Sequence, residues 1–484
     1  MTDEKLHRFV DQLRSSDLSP HIVTDQDAIA PWLTDWRGRF HGRSPVMVEP
    51  RSTEETAFLV RTVAEHKVAI VPQGGNSGMV GGATPDQAGD AVLLSMRRMN
   101  AIRQDLPEEH AIIAEAGVIL QNLHEHLEGA GLRFPLTLGG KGSATIGGLV
   151  STNAGGTQVL RHGTMRALVA GVEAVLPNGS VFDGLAALKK DNRGYDLNQL
   201  LVGAEGTLGI VTAARLRLCP AVVDRCVIWA GVETPSAARK LLLFLEREAG
   251  SAMEGFEIMP QHCIDNVLQH IPGTRAPLAG NHDWHCLVEI VRDDAGDMGS
   301  AQRAESIMAR AMERGLINDA AMSASEAQAE AFWKIRDSIA EAERAEGPAV
   351  QHDISVPVAD MARFIETVAP ETEKRFPGSR AVAFGHMGDG NVHYHVTAPT
   401  NSDADQWYAG AAKDISQWVY DQVAAWNGSL SAEHGIGQLK RDELERLGDP
   451  ARLFALRAVK KAFDPDQIMN PGKLINLASP GDST

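Results

Sequence analysis

The chain has 484 residues, enough for two or three domains with well-buried cores, and its 43% hydrophobic and 23% charged residues are ordinary for a soluble globular protein. A formal net charge of −17 argues against a basic surface for nucleic acid, and no uninterrupted apolar run reaches the ~20 residues that span a bilayer as a helix. Four scattered cysteines fit neither a disulfide framework nor an iron–sulfur or zinc-finger spacing, which predicts reduced thiols in a cytoplasmic protein.

The N-terminal region is predicted to be helical and to lead into the first domain. Residues 1–44 form this lead-in, with Trp32 and Trp36 as packing residues, and their acidic start indicates neither a secretory nor a transit signal. Any membrane contact is therefore expected to be peripheral. Residues 51–66 predict a helix, because capping residues precede an apolar pattern at helical spacing, and residues 68–72 predict a short buried strand.

Three glycine-rich tracts follow, at residues 73–82, 139–156 and 202–211, and short apolar runs such as 91–94 and 111–114 predict strands between them. The first tract has five glycines in ten residues, which would let backbone N–H groups approach a pyrophosphate. It lacks the lysine of a P-loop and the spacing of a Rossmann motif, and alone it suits a flexible surface loop equally well. Together the three tracts predict one large, phosphate-bearing cofactor between sheets.

Beyond about residue 224, glycine becomes rarer and long amphipathic segments predict helices over 236–248, 299–314 and 324–344. The apolar run 286–291 predicts a strand between them. This half of the chain is therefore expected to form a separate α+β region.

Three histidines and an aspartate lie within the ten residues 386–395, among several glycines. Alternation in the following strand sends His393 and His395 to one face, while a glycine turn carries His386. Neighbouring imidazoles of this kind suit a divalent-metal site, and Glu433 and His434 offer a further carboxylate and imidazole. The alternative is a buried polar network without a metal.

The ordered motifs resemble the vanillyl-alcohol-oxidase/para-cresol-methylhydroxylase superfamily of flavoproteins. The likeness is carried by residues 72–85, 138–156, 191–219, 385–395, Glu433-His434-Gly435 and Met469-Asn470-Pro471-Gly472-Lys473. It covers roughly residues 40–475 and is strongest with the branch of D-2-hydroxyglutarate and D-lactate dehydrogenases. It implies an α+β fold: a two-subdomain FAD-binding domain, an α+β substrate-binding cap domain with the metal site, and a C-terminal segment that packs back on the FAD domain. The corresponding boundaries, after the lead-in, are 45–221, 222–425 and 426–484.

The resemblance implies that FAD is the cofactor of the glycine tracts. No histidine or cysteine occurs in residues 72–85 or 138–156, where some members tether the flavin, so FAD is expected to be non-covalent. The implied FAD-binding residues are Pro72, Gln73, Gly74, Gly75, Asn76, Ser77, Gly142, Ser143, Thr145, Gly148, Thr152, Asn153, Gly155, Glu205, Gly209, Ile210 and Asn470.

The resemblance also implies a ligand set of His386, His393 and Glu433 for a divalent ion. Two imidazoles and a carboxylate suit zinc, with manganese or iron(II) as alternatives, and three protein ligands leave positions for a chelating 2-hydroxy acid. His434 is the expected catalytic base, since an imidazole titrates near working pH, with a further ligand role as the alternative.

Three residues are expected to bind substrate. Arg336 resembles the arginine that grips a substrate carboxylate, and His395 is expected to contact substrate rather than metal. D-2-hydroxyglutarate dehydrogenases carry a threonine and a lysine where this chain has Ala340 and Gln351. A neutral amide thus replaces a cation, which opens the way to D-lactate, D-malate or a larger, less acidic hydroxy acid.

The expected activity is FAD- and metal-dependent oxidation of a D-2-hydroxy acid to the 2-keto acid, with hydride transfer to flavin N5. No iron–sulfur, heme or pyridine-nucleotide motif is present, so an external acceptor is expected: an electron-transfer flavoprotein, a quinone or a cytochrome. The alternatives are the flavin subunit of a glycolate-oxidase-like complex and a metallohydrolase with merely structural glycine loops. The sequence leaves a homodimer open.

Overall fold

The computed structural model describes residues 3–186, 188–293 and 298–477, and these ranges contain mixed helix and sheet. The strands are β1 (His21–Val23), β2 (Met47–Glu49), β3 (Ala69–Gln73), β4 (Ala91–Ser95), β5 (Ile102–Leu106), β6 (Ala111–Glu115), β7 (Leu132–Arg133), β8 (Val169–Val175), β9 (Val181–Asp183), β10 (Ile210–Arg217), β11 (Cys219–Pro220), β12 (Asp224–Val232), β13 (Met253–Pro260), β14 (Trp284–Arg292), β15 (Asp319–Met322), β16 (Ala349–Ser355), β17 (Arg380–His386) and β18 (Asn391–Thr397). The helices are α1 (Asp3–Arg14), α2 (Gln26–Ile29), α3 (Thr53–His66), α4 (Leu120–Leu127), α5 (Ile146–Thr152), α6 (Val159–His162), α7 (Met165–Leu168), α8 (Leu197–Leu201), α9 (Pro235–Ala249), α10 (Gln261–His270), α11 (Ser300–Glu313), α12 (Glu326–Asp337), α13 (Ile339–Glu346), α14 (Met361–Arg375), α15 (Ala404–Ala409), α16 (Ala411–Ala425), α17 (Arg441–Leu447) and α18 (Pro450–Phe463).

The chain divides into two compact units, and each is built from separate stretches of sequence. Unit 1 comprises Met1–Gly156, Gly163–Cys219 and Glu433–Thr484. Unit 2 comprises Thr157–His162 and Pro220–Ala432. The domain boundaries expected from the sequence stay predictions. Within the ranges that the structure describes, no helix is both long and apolar enough to cross a membrane.

The two larger sheets of unit 1 each have their own core. In the first, of order β1-β2-β4-β3, strand β4 lies parallel to both β2 and β3. Such strands are buried on both faces, which explains the unbroken apolar run of β4. The second sheet, of order β5-β6-β10-β8-β9, is antiparallel, and α4 and α5 contribute to its core. This is the two-subdomain arrangement that the sequence predicts.

Unit 2 is built on one antiparallel sheet of order β15-β12-β14-β13-β17-β18-β16. Helices α10, α12 and α13 supply apolar residues to a core that also includes Trp229 and Phe384 from the sheet. The α+β class predicted for this half of the chain is confirmed. The strands β13, β17, β18 and β16 lie side by side, and they carry the polar residues described below.

Three local predictions are wrong. Residues 1–44, predicted to be a helical lead-in, also contain strand β1, which pairs with β2. The single helix expected over 324–344 is two helices, because the chain turns at Ser338, which has φ −84° and ψ −2°. Trp36, expected to pack, is 52% exposed, whereas Trp32 lies against the Arg97 guanidinium at 3.4 Å from ring centroid to Cζ. Trp32 therefore packs through a cation–π contact with Arg97.

Candidate active site

Two of the glycine tracts of unit 1 lie directly against each other. A Cβ at Gly74 would collide with the Thr145 side chain, and one at Gly75 would collide with the Ser143 carbonyl. Glycine is therefore required where the loop after β3 meets the turn before α5. Gly78 and Gly139, in contrast, would meet nothing within 4 Å, so the far side of both loops is open.

Buried polar atoms near these loops fit a polar cofactor. The Thr145 Oγ1 and the Gln73 Oε1 are buried, and neither has a hydrogen-bond partner among the described residues. Gln73 Nε2 is held by the carbonyls of Trp32 and Ala83 at 3.0 and 2.9 Å, which fixes the amide. Because buried polar atoms normally find partners, the orphaned oxygens and the glycine cradle fit a bound group with donors.

The remaining residues predicted to bind FAD lie in unit 1 as follows. Pro72 lies within β3 with its ring beside Gly206, Asn76 donates to the Thr34 carbonyl at 2.8 Å, and Asn153 caps the C-terminus of α5 with φ 50°. The others occupy the loop after β3, the turn before α5, α5 itself, the loop after α5 and the segment around the start of β10: Ser77, Gly142, Gly148, Thr152, Gly155, Gly209 and Ile210.

Glu205 and Asn470, also predicted to bind FAD, hold backbone together. The buried Glu205 carboxylate accepts hydrogen bonds from the N–H groups of Ile436 and Gly437, both at 2.7 Å. Asn470 Nδ2 donates to the carbonyls of Glu205 at 2.7 Å and Gly82 at 3.0 Å. Burial raises the pKa of Glu205, although the two backbone N–H groups oppose this. The Glu205 carboxylate thus anchors the loop that begins with Glu433 and His434.

We expect Glu205→Gln to loosen that loop. An amide retains the shape but loses the charge, and hydrogen bonds to a charged acceptor are worth about 1.5–3 kcal/mol. Turnover should fall about tenfold while FAD content is unchanged, because the loop rather than the cofactor is released. Glu65→Gln, whose carboxylate is an exposed partner of Gln12, is the control. Equal turnover in the two variants would contradict the anchoring role.

In unit 2, three histidines lie together on neighbouring strands. His386 ends β17, a turn with Gly390 at φ 83° follows, and β18 carries His393 and His395. The His386 and His393 ring centroids are 5.5 Å apart, and those of His393 and His395 are 6.4 Å apart. His393 and His395 lie on one face of β18, as the alternation predicts. Both are beside Phe384, whose ring centroid is 5.1 Å from each imidazole centroid.

Glu257 on β13 links His386 to Arg336. Its side chain is fully buried, one oxygen contacts His386 Nδ1, and the other accepts from Arg336 Nε at 2.7 Å. Burial alone would raise the pKa of Glu257, but the charges of Arg336 and His386 hold it well below its usual range. An ionised carboxylate can only accept, so the proton at this contact lies on His386 Nδ1, and Nε2 is the nitrogen that would bind a metal ion. Metal-binding histidines typically have this arrangement.

The surroundings of His393 favour its neutral form. Burial, followed by the positive charges of Arg336 and His386, holds the pKa of His393 well below its usual range. Asp353, its cross-strand partner on β16, lies 4.0 Å from His393 Nδ1 and accepts a hydrogen bond from Asn391 at 3.0 Å. Neutral imidazoles are the form that binds a divalent ion, so the donor chemistry of His386 and His393 fits one.

The predicted substrate-binding residues His395 and Gln351 share one buried partner, Glu343 of α13. His395 Nδ1 lies 2.9 and 2.8 Å from the two Glu343 oxygens, and Gln351 Nε2 donates to Oε2 at 2.9 Å. Arg336, predicted to grip a carboxylate, has one on its Nε already, that of Glu257. A guanidinium has five N–H donors in a planar array, a geometry that suits carboxylates.

Sequence reasoning missed Glu257, Glu343 and Asp353. Glu257 lies in an apolar strand 129 positions before His386, and Glu343 lies on a helix rich in glutamate, so neither has a distinguishing local pattern. Asp353 was the easiest of the three to predict from the sequence. It lies two residues after Gln351 on the same strand, a spacing that places both side chains on one face.

Glu433 and His434 are the first residues of the last stretch of unit 1. Ala432, directly before them, is the last residue of unit 2, and its N–H donates to the Asp353 carbonyl at 3.4 Å. The following Gly435 has φ 82° and Gly437 has φ 53°, backbone conformations that glycine adopts readily.

Comparison with known proteins decides the family. A family described as FAD linked oxidases, C-terminal domain, matches residues 223–474, and one described as FAD binding domain matches residues 44–184. The chain belongs to the FAD-linked oxidase family. Its predicted membership of this flavoprotein group, its FAD dependence and its classification as a dehydrogenase of the 2-hydroxy-acid type are confirmed.

Relatives of this FAD-linked oxidase are similar over most of their length. It is 33% identical to the mitochondrial D-2-hydroxyglutarate dehydrogenase of Arabidopsis thaliana, and the matched region covers 94% of this chain and 79% of the relative. The mitochondrial D-2-hydroxyglutarate dehydrogenase of Bos taurus is 35% identical, over 94% of this chain and 81% of its own. The D-2-hydroxyglutarate dehydrogenase of Stutzerimonas stutzeri is 33% identical, over 98% and 99%.

Solved structures confirm the fold of this FAD-linked oxidase. Para-cresol methylhydroxylase matches with a TM-score of 0.74 at 15% identity, over 99% of this chain and 98% of its own. An alkyldihydroxyacetonephosphate synthase matches with a TM-score of 0.72 at 16% identity, over 96% and 86%. The α+β class and the two-subdomain FAD-binding architecture predicted from the sequence are therefore confirmed.

Proposed function

We propose that this protein oxidises a D-2-hydroxy acid to the corresponding 2-keto acid with the aid of FAD and a divalent ion. The observation that carries the proposal is the pair of neighbouring imidazoles of the buried His386 and the partly buried His393, with Glu257 against Nδ1 of the first. Membership of the FAD-linked oxidases and the names of the relatives support hydroxy-acid oxidation.

His386, His393 and Glu433 would hold the ion, with zinc as the first choice and manganese or iron(II) as alternatives. When bound, the ion would supply Lewis acidity toward the substrate hydroxyl, and FAD would supply the hydride acceptor. His434 would take the hydroxyl proton on its imidazole, and Arg336 would orient a substrate carboxylate. The anchoring of Ile436 and Gly437 by Glu205 supports a fixed position for His434.

The electrons would leave through an external acceptor, an electron-transfer flavoprotein, a quinone or a cytochrome. This part of the proposal rests on the sequence, which carries no iron–sulfur, heme or pyridine-nucleotide motif. A cytoplasmic location, with at most peripheral membrane contact, and a homodimer belong to the same proposal.

The experiment is an anaerobic flavin-bleaching screen on metal-analysed protein. D-2-hydroxy acids should bleach the flavin absorbance while their L-enantiomers do not, and chelator treatment should abolish bleaching until zinc, manganese or iron(II) is restored. His386→Ala should bind the divalent ion at least about tenfold more weakly. Bleaching that survives complete metal removal would refute metal dependence, and the absence of bleaching by any hydroxy acid would refute the function.

A further inference from the structure

Glu343 places a buried carboxylate among the residues that the sequence assigns to substrate. Its side chain projects from α13, and the residue is only 5% exposed. Gln351 and His395, which contact it, are direct cross-strand partners on β16 and β18, so both side chains lie on one face of the sheet. Three different elements thus converge on this carboxylate.

The Glu343 carboxylate lies one side-chain row beyond the imidazole pair. His393 and His395 are two residues apart on β18, a spacing of about 7 Å along a strand, and both rings contact Phe384. The Arg336 guanidinium lies 5.3 Å from the same Phe384 ring. A hydroxy acid whose first carbons lay at His386 and His393 would therefore extend its other end toward His395 and Glu343.

Carboxylates are the main charged groups that the described residues bring to this region. Arg336 is paired with Glu257, and Glu343 adds a second carboxylate, which contacts the His395 imidazole and the neutral Gln351 amide. The neighbouring side chain at position 351 is an amide, which donates to Glu343 and brings no positive charge. A second substrate carboxylate at this end would meet a like charge in a poorly solvated place, which is unfavourable.

We infer that Glu343 selects substrates by their far end: D-2-hydroxy monocarboxylic acids with a hydrogen-bond-donating tail, such as an amide or hydroxyl, are accepted, and dicarboxylates are rejected. The inference rests on the proposed function. Glu343 acts by accepting a hydrogen bond from the tail, in company with His395 and Gln351. Like charges across an interface are a common means of excluding the wrong partner.

The test uses two substrates that differ at one group, D-2-hydroxyglutarate and its distal amide, D-2-hydroxyglutaramate. The kcat/KM of the intact enzyme should favour the amide by about tenfold or more. Glu343→Gln should reduce this ratio by about tenfold, because the amide side chain no longer repels the acid. Glu341→Gln, an exposed glutamate on the same helix, is the matched control and should keep the ratio.

A binding measurement on the intact enzyme tests the same selectivity without turnover and without relying on the Glu343→Gln variant. Perturbation of the flavin spectrum gives the affinities of the two keto products, 2-oxoglutaramate and 2-oxoglutarate. Tighter binding of the amide supports the inference. Equal or tighter binding of the dicarboxylate, or an unchanged ratio in Glu343→Gln, overturns it. Oxidation of D-2-hydroxyglutarate as the better substrate would overturn this inference alone, whereas failure of every hydroxy acid to bleach the flavin would overturn the proposed function.

Discussion

Replacement of His434 by alanine should slow flavin reduction by the best hydroxy acid about 10²- to 10⁴-fold, the range that a general base contributes. His434 lies in the loop that Glu205 anchors, so its backbone position does not depend on its own side chain. Stopped-flow measurement of flavin bleaching at saturating substrate isolates the proton-transfer and hydride-transfer steps from reoxidation.

The control for this prediction separates a base from a metal ligand. If His434 is the base, the alanine variant keeps its FAD and its metal, and added imidazole restores part of the rate. If His434 is a further ligand, the metal content falls instead. His126→Ala removes an imidazole that makes a surface hydrogen bond with Asp105 at 2.9 Å, and it should leave the rate unchanged. An unchanged rate in His434→Ala would show that the base was wrongly assigned.

The parts of the site that depend on local pattern could be predicted from the sequence. Alternation in β18 fixes which side chains share a face, so His393 and His395 were correctly placed together. The glycines predicted to line the cofactor site include Gly74 and Gly75, where the structure leaves no room for a Cβ. The order of the tracts was enough to indicate the FAD-binding fold.

The parts that depend on distant pairing could not be predicted. The pairing of β13 with β17 places Glu257 opposite His386, and nothing in either segment alone specifies it. The contact of Glu205 with FAD, which the resemblance implies, stays a prediction, and no local pattern indicates that its carboxylate accepts from a backbone N–H 231 positions away. The turn at Ser338 begins α13 as a separate helix. The sequence pattern assumed one long helix over this range, so the position of Glu343 was not predicted.

Replacement of Glu257 by glutamine should be among the most damaging single changes in unit 2. The ionised carboxylate serves both the Arg336 guanidinium and His386 Nδ1, and removal of one partner from a buried ion pair costs about 3–5 kcal/mol. The loss should appear as a lower midpoint in urea with an unchanged slope, since the amount of surface exposed on unfolding is the same.

The same substitution should also weaken divalent-ion binding by about 10- to 100-fold, the usual effect of removing the carboxylate that orients a metal-binding histidine. A glutamine can present its NH₂ to Nδ1, which favours the other tautomer and turns the lone pair away from Nε2. Glu248→Gln removes a carboxylate that pairs with Arg310 at the surface, and it should change stability by less than about 0.5 kcal/mol with no effect on metal affinity. If Glu257→Gln lowered stability but bound the ion as tightly as the intact protein, Glu257 would have a role in the ion pair with Arg336 alone. His386 would then need another explanation for its orientation. A loss of both stability and affinity ties the buried pair to the metal, because one carboxylate carries both effects.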